Sequence, residues 1–470
     1  MAEAARLDRP FRRRHHHHSG KWAMDQQQFY DQLNDRMRRY GASPLDPTQV
    51  ITITASPDYL ASYDGQVAAL VACNLIGRLS PSVQIGFPDI AIHPRLPWAG
   101  RSLVGHALDA MRAADPFGSY GARVLAGGDF RFHLGPDGHD AVVHGSGWNA
   151  YIGQRPSPLP LVTSDVGVGA AQAVVLGAGH LFRTRFGAMT GPFACNAWDW
   201  TDGPSPVNFS PVGASLGKVM TTGLGSVGSA ANYFLTLATR DFRAILVDHD
   251  GVGIHNITRS PLFTDAHAKI GLAKVEAVAA FLRGAGVEDV AVDPVALHES
   301  ALWKSREAGW TDVLISAANE FNVRYHIEMG FPPIQLYATT GRNWQVTLMR
   351  HLPGAKACSL CVFPPDKKFA PTTCATDASD TPQTTIEEKR ADAALPFLSF
   401  AAGLMTAAEV LKLTAPGYPF SAERVMFSLK GQPLLVGTPI PHRTGCPCEG
   451  RHKGVHQAAI AGSRYAEFAG

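Results

Sequence analysis

The chain has 470 residues, too many for one ordinary core, so two units of roughly 200 residues each are expected. Apolar residues make up 45% and charged residues 17%, which excludes a disordered chain, and a net charge of +2 gives no basis for a nucleic-acid or anionic-membrane partner. Seven cysteines at this length speak against a disulfide framework and for a reducing, cytoplasmic compartment with metal-bound or reactive thiols.

Residues 1–24 stand apart as a tag-like or disordered tail. Arg12–Arg14 run into His15–His18 and Ser19-Gly20, no apolar stretch follows to make a secretory signal, and the chain proper is expected to start at Met24. From residue 25 to about 45 an amphipathic helix is predicted, with Phe29, Leu33 and Met37 on one face and Pro44 and Pro47 as stops. Ile51–Thr54, Gln66–Leu79 and Val83–Phe87 read as strand, helix and strand. The connecting segment, Ser56–Gly65, holds Tyr59, Tyr63 and Asp64 where a close pyrophosphate approach would need glycines. From Gly121 to Gly153 the pattern turns to hairpins. Phe130, Phe132 and Leu134 alternate with Arg131 and His133, and this strand and Ala141–His144 flank the turn Gly135-Pro136-Asp137-Gly138-His139. Gly167–Phe182 is a small-residue helix, and the Pro- and Ser-rich run Gly203–Pro211 sets a boundary near residue 210. Cys73 and Cys195 read as small buried hydrophobes, and Trp148, Trp198 and Trp200 as core.

The stretch from Lys218 to Lys274 carries the most specific chemistry. A short apolar strand, Val219–Thr222, precedes Gly223, Gly225 and Gly228 in G-x-G-x-x-G spacing. A small-residue helix follows over about 226–239, then a second strand, Ala244–Val247, ending in Asp248, with Asp250 two residues on. That order suits a nucleotide: glycines let backbone approach phosphate at a helix N-terminus, and the acid lies where a ribose would sit. Asn256, Arg259 and Lys274 then separate a triphosphate from a redox dinucleotide. Two cations would neutralise phosphate oxygens as pyrophosphate departs, and an amide would hold an oxygen.

Taken together, D-x-D (Asp248, Asp250), N-x-x-R (Asn256, Arg259) and G-x-x-K (Gly271, Lys274) resemble the ThiF/MoeB family and the adenylation domain of ubiquitin-activating enzymes, from about Lys218 to Lys430. The resemblance implies an α/β, Rossmann-like adenylation fold over 211–470 that binds ATP with Mg2+ and adenylates the C-terminal glycine of a ubiquitin-like protein. Because eukaryotic relatives pair an inactive with an active adenylation domain, residues 25–210 are expected to form a degenerate, inactive adenylation-like domain. Asn319 falls where relatives carry an acidic magnesium ligand; an amide keeps the oxygen but loses the charge, so Asp248, Asp250, Glu320 or ATP itself would have to compensate. Arg324 matches an arginine common in the following helix. The N-terminal Arg-Tyr-x-Arg-Gln segment of many relatives has only Arg38-Arg39-Tyr40 as a faint counterpart.

Cys358 and Cys361 form a C-x-x-C pair, and Cys446 and Cys448 a C-x-C pair about 85 residues later, a set suited to tetrahedral structural Zn2+. Cys374 is left alone in a Pro-, Thr- and Asp-rich loop over about 365–390. In ubiquitin-activating relatives a cysteine of the loop crossing the nucleotide site takes the acyl group as a thioester. Lys367 and Lys368 would favour its thiolate; Asp377 and Asp380 would oppose it. Ala393–Ala408 carries no charge over about sixteen residues, short for a membrane span and better read as a core helix. It runs into Ala407, Glu409 and Lys412, an A-x-E-x-x-K that relatives share.

Expected partners are therefore a ubiquitin-like protein, a conjugating enzyme and a second copy in a homodimer, with no nucleic acid and no membrane. By analogy, the Ala-, Gly- and Arg-rich composition suggests a bacterial ubiquitin-like conjugation pathway, with antiviral defence as one setting. The competing expectations are a sulfur-carrier adenylyltransferase of MoeB/ThiF type, a non-catalytic scaffold and, more distantly, a dinucleotide oxidoreductase.

Overall fold

The computed structural model describes residues 24–38, 48–123, 130–138, 142–153, 156–161, 164–184, 191–305, 310–318, 321–341, 344–352, 357–362, 394–418, 422–446, 448–449 and 451–468. The chain opens with α1 (Gln26–Leu33), capped by the Asp25 carboxylate, which accepts from the Gln28 amide. A turn at Asn34 separates it from α2 (Asp35–Arg38), so the single helix expected over 25–45 is broken, and Pro44 and Pro47 lie outside the described residues.

The first sheet takes β1 (Ile51–Ala55), β2 (Ser82–Ile85), β3 (Ser119–Ala122), β4 (Phe130–Leu134), β5 (Val142–Ser146), β6 (Asn149–Gly153) and β7 (Phe193–Asn196). Between these run α3 (Pro57–Ala61), α4 (Tyr63–Leu79), α5 (Leu103–Ala114) and α6 (Val168–Thr184). The segment 56–65, read from sequence as an open connection, is mostly helical. Pro57 starts α3, and the Ser62 hydroxyl accepts the Gly65 amide to start α4 at Tyr63.

The second sheet uses β8 (Lys218–Thr222), β9 (Arg243–Val247), β10 (Val290–Asp293), β11 (Val313–Ser316), β12 (Ile334–Gly341), β13 (Gln345–His351), β14 (Arg424–Ser428) and β15 (Leu434–Thr438). Its helices in chain order are α7 (Ser226–Ala238), α8 (Ile254–Ile257), α9 (Asp265–Lys269), α10 (Lys274–Gly284), α11 (Ala301–Lys304), α12 (Phe321–Gly330), α13 (Ser359–Val362), α14 (Pro396–Lys412) and α15 (Arg451–Ala461).

The two sheets share one plan. The strand orders are β3-β2-β1-β4-β5-β6-β7 and β10-β9-β8-β11-β12-β13-β14-β15. In each, the first five positions are parallel and the remainder antiparallel. The first sheet is thus a topological copy of the second, one strand shorter. This copying also corrects the hairpin expected across Gly135–His139. β4 and β5 are parallel, and only His133 and Leu134 pair, with Val142 and Val143. A parallel join ordinarily needs a long crossover, which α12 supplies between β11 and β12. Here the strands overlap by two residues end to end, so a seven-residue link suffices. The true hairpin is β5–β6, turning at Gly147-Trp148, where Gly147 has φ +62°.

A layer of small-residue helices joins the sheets: α4 packs on α6, α7 on α14, and α14 on both α6 and α4. Every residue of α14 is buried, so the described part of the uncharged run, 394–408, is core, and no described helix is long and apolar enough to cross a membrane. Gly403 makes the contact with α7 close, since a Cβ there would lie 2.4 Å from that of Ala230. Cys73, Cys195, Trp148, Trp198 and Trp200 are buried as expected.

At the end of α14 the Glu409 carboxylate, fully buried, meets Arg350 Nη1 at 3.1 Å and accepts from Trp200 Nε1 at 2.5 Å, from Lys412 and from Tyr418. Lys412 Nζ also donates to the Trp198 carbonyl at 2.9 Å. Glu409→Ala would leave two buried cations without their anion and should cost about 3–5 kcal/mol, read as a lower urea midpoint. A loss no larger than the roughly 0–1 kcal/mol of an exposed pair would contradict this account.

Asp64, in the first turn of α4, is buried and accepts the Gly167 amide at 2.9 Å and the Gly147 amide at 3.1 Å. Burial raises its carboxyl to about 7, against the two amides and Ser164, which lower it. The folded state therefore holds a proton that the unfolded chain releases at lower pH. That contribution is complete below the unfolded carboxyl value and lost as pH rises through about 7. Asp64→Asn should flatten the fall in stability between pH 5 and 8, measured by denaturation at each pH; an unchanged slope would rule Asp64 out.

Candidate nucleotide site and cysteine cluster

The glycine turn sits between β8 and α7, at the carboxyl edge of the parallel strands where the order reverses between β8 and β11. Gly223 has φ +78°, and a Cβ there would lie 2.6 Å from the Ala318 amide nitrogen. A Cβ on Gly228 would lie 2.1 Å from the Gly223 carbonyl oxygen, so this glycine lets α7 close onto the turn. Gly225 is the N-cap of α7, and beside it a Cβ would meet nothing within 4 Å. The first-turn amides of α7 have no side-chain cap.

Asp248 closes β9, and its carboxylate accepts the Leu224 amide at 2.5 Å and the Asp250 amide at 2.8 Å. It thereby fixes the glycine turn while keeping lone pairs for a ribose hydroxyl. Asp250 is paired with Lys274, Nζ to Oδ2 at 2.6 Å. Burial alone would raise the Asp250 carboxyl, but the Lys274 ammonium outweighs it and holds the carboxyl below its usual range. Asn256 is 4% exposed, and its Oδ1 accepts the Gly253 amide at 2.9 Å, which caps α8 and leaves Nδ2 as the donor turned to other use. Arg259 is half-buried just beyond. His255 reports what surrounds it. Burial, then the charges of Arg259, Arg36 and Lys274, push its imidazole down to about 4.

Arg36 was not singled out from the sequence. It is 3% exposed on α2, with Nε 3.6 Å from Asp35 Oδ2, and its charge acts on the His255 imidazole as do those of Arg259 and Lys274. The only trace was the basic run through Arg38-Arg39-Tyr40, whose last two residues lie outside the described residues. Arg324 is buried on α12. Asn319, Glu320, Lys367, Lys368, Cys374, Asp377, Asp380 and the loop of about 365–390 lie outside the described residues, as do residues 1–23. Ligand atoms of Asp248, His249 and Asp250 lie within 4.8 Å of one another. With Asp248 on two amides and Asp250 on Lys274, these carboxylates do not form a ready magnesium cage.

The counterpart of this site in the first sheet is filled. At the end of β1, Ser56 takes the place of the glycine turn. Its hydroxyl lies 3.1 Å from His133 Nε2 and donates to Asp137, while His133 Nδ1 lies 3.0 Å from Thr54 Oγ1. These side chains occupy the edge that glycines leave open beside β8, in line with the expectation that no pyrophosphate approaches there.

The cysteine pairs meet as expected. Cys358 Sγ lies 3.5 Å from Cys446 Sγ, Cys361 Sγ lies 3.6 Å from Cys448 Sγ, and all four sulfurs fall within 4.8 Å of one another. Zinc about 2.3 Å from each ligand requires tetrahedral sulfurs about 3.8 Å apart, so this set fits the ion. No disulfide forms among them. Behind the cluster the buried Glu328 accepts the Ser359 amide at 2.8 Å, Tyr337 OH at 3.0 Å and His351 Nδ1 at 2.9 Å, which fixes the first pair against β12 and β13.

Fold and site define a Rossmann-like α/β protein with a glycine turn at the strand-order switch of its second sheet and a separate four-cysteine cluster. Residues 214–433 match the model of the ThiF family. Among solved structures, E. coli MccB with AMPCPP and selenomethionine MccA is 16% identical, at TM-score 0.39, over 50% of this chain. E. coli MccB with ATP is 17% identical, at TM-score 0.38, over the same share. Each of these matches spans 66% of the MccB chain. No curated protein matches the chain.

Purified without chelator, the protein should carry one zinc per chain by elemental analysis, and Cys358→Ser with Cys446→Ser should abolish it. Full zinc in the double variant would remove the cluster as its ligand.

Proposed function

We propose that the glycine-turn pocket binds ATP and that the protein adenylates the C-terminal carboxylate of a ubiquitin-like protein. The observation that carries this reading is the glycine turn at the uncapped start of α7, with Lys274 paired to Asp250 just beyond β9 and the charges of Arg259, Arg36 and Lys274 all acting on His255. Three cations and a row of uncapped amides suit a triphosphate far better than the single pyrophosphate of a redox dinucleotide. Asp248 receives the ribose. Lys274, released from Asp250, follows the phosphates, and magnesium arrives on the triphosphate.

In the reaction, a carboxylate oxygen of the modifier attacks the α-phosphorus and pyrophosphate leaves with the bond electrons. Arg259 and Lys274 stabilise the charge that grows on the bridging and terminal oxygens. Cys374, as thiolate, then attacks the acyl carbon and AMP departs, leaving a thioester for a conjugating enzyme to collect. Zinc at the four cysteines is structural, pinning 358–361 to 446–448. The compartment is cytoplasmic, where thiols stay reduced.

ATP–pyrophosphate exchange tests the first step. Exchange should appear only with a ubiquitin-like protein bearing a C-terminal glycine, and Lys274→Ala or Arg259→Ala should lower it on the order of 10²–10³-fold. Cys374→Ala should keep exchange but lose a reductant-sensitive adduct with the modifier. Exchange with no adduct in the wild type would move the reading to sulfur-carrier adenylation; no exchange with any modifier and no ATP binding would end it.

A further inference from the structure

The loop bearing Arg259 is held by a residue of the other unit. Arg78 lies in the last turn of α4, is 7% exposed, and points its guanidinium at three carbonyls of the turn from Ile257 to Phe263. Nη1 donates to the Phe263 carbonyl at 3.0 Å and to that of Ile257, and Nη2 donates to Pro261 at 2.8 Å. Nε donates to Asn74 Oδ1 at 2.7 Å, and Asn74 Nδ2 returns to the Pro261 carbonyl at 3.3 Å. No carboxylate takes part. Burial pulls the guanidinium down to about 10, which still leaves it charged at neutral pH. The accepting carbonyls bracket Arg259 on both sides.

Ile257, Thr258, Ser260 and Phe263 are buried, so packing holds the side chains of this turn while the Arg78 fork holds its carbonyls. Its own backbone bonds, Ser260 N to Ile257 O and Phe263 N to Ser260 O, are both 3.3 Å. A cavity of about 550 Å³ runs along the same face, lined by Tyr30, Leu33, Arg78, Leu79, Ile257 and Thr258. The planar fork of an arginine reaches several carbonyls at once, which an ammonium on a flexible stem cannot do.

We infer that Arg78, with Asn74 behind it, is a positioning residue for the nucleotide site: its guanidinium sets the height of Arg259 over the glycine turn. The inference rests on the proposed ATP reading. It gives the first unit, which has no glycine turn of its own, a task in the second unit's pocket.

The test compares wild type, Arg78→Lys and Asn74→Ala by ATP titration calorimetry, amide hydrogen exchange and thermal unfolding. Arg78→Lys keeps charge and most of the stem. It should speed exchange over 257–264 while β8 and β9 stay protected, and weaken ATP binding about tenfold, the effect of roughly one charge-assisted hydrogen bond. Asn74→Ala should move both readouts the same way by less, which keeps the question open to decision should Arg78→Lys fold poorly. In an Arg259→Ala background neither substitution should weaken ATP further, because the effect passes through Arg259; a purely structural role would persist there. Unchanged ATP affinity in a variant whose turn has loosened would overturn the inference. Absence of ATP binding by the wild type would instead sink the nucleotide reading.

Discussion

The Glu409 carboxylate is the point on which the two sheets depend. It has no exposure to solvent, and neither do its partners Arg350 and Lys412. Burial would neutralise such an acid, but the two adjacent cations reverse that and hold its carboxyl below the usual range. Lys412 shows the opposing strain: burial lowers its ammonium to about 8, and Glu409 is what keeps it from falling further. Each charge is tolerable only because the other is present. Trp200 and the Trp198 carbonyl complete the set, and both come from the end of the first unit. The junction between the units is thus an ionic cluster sealed under aromatic rings, with Arg350 tying in β13 and Glu409 and Lys412 tying in α14.

That junction lets one structural plan appear twice with different outcomes. Both sheets reverse their strand order beside the first strand of the unit, β1 or β8, and both cover that edge with a small-residue helix. Beside β8 the edge is open, because Gly223 adopts a left-handed turn and Gly228 admits α7 against it. Beside β1 the same edge is closed by a serine, a histidine and an aspartate bonded to one another. A few side chains decide which copy keeps that edge open. The missing helix between β4 and β5 is the second difference, and it shortens the loop that would otherwise frame a ligand.

Much of this was legible in the chain because it is written locally. The glycine spacing, Asp248 at the end of a buried strand, the uncharged α14 and the two cysteine pairs all follow from periodicity or spacing within a few residues. The parallel register of β4 and β5 was not legible. Gly135-Pro136-Asp137-Gly138 carries every local mark of a hairpin turn, and only the pairing of β4 with β1 makes it a link between parallel strands. Arg36, Arg78 and Arg350 escaped for a related reason. Each sits in an ordinary helix or strand, and its role is fixed by partners far away in sequence, at Ile257–Phe263 for Arg78 and at Glu409 for Arg350.

These distant arginines bear on why the chain keeps a first unit at all. A glycine turn, an acid and a lysine all come from β8–α10 and need nothing from residues before 214. Two cations draw on the first unit: Arg36 comes from α2, and Arg259, although within that stretch, lies on a turn whose carbonyls are fastened to α4. Thr258 adds a bond to the Leu33 carbonyl at 3.3 Å, and Asn74 one to Pro261. Removing the first unit would leave the glycine turn in place but take away the donors that hold the turn carrying Arg259. Charge stabilisation during pyrophosphate release depends on donors being fixed before the charge appears. The first unit supplies the donors that fasten this turn, while its own corresponding edge is filled by Ser56, His133 and Asp137.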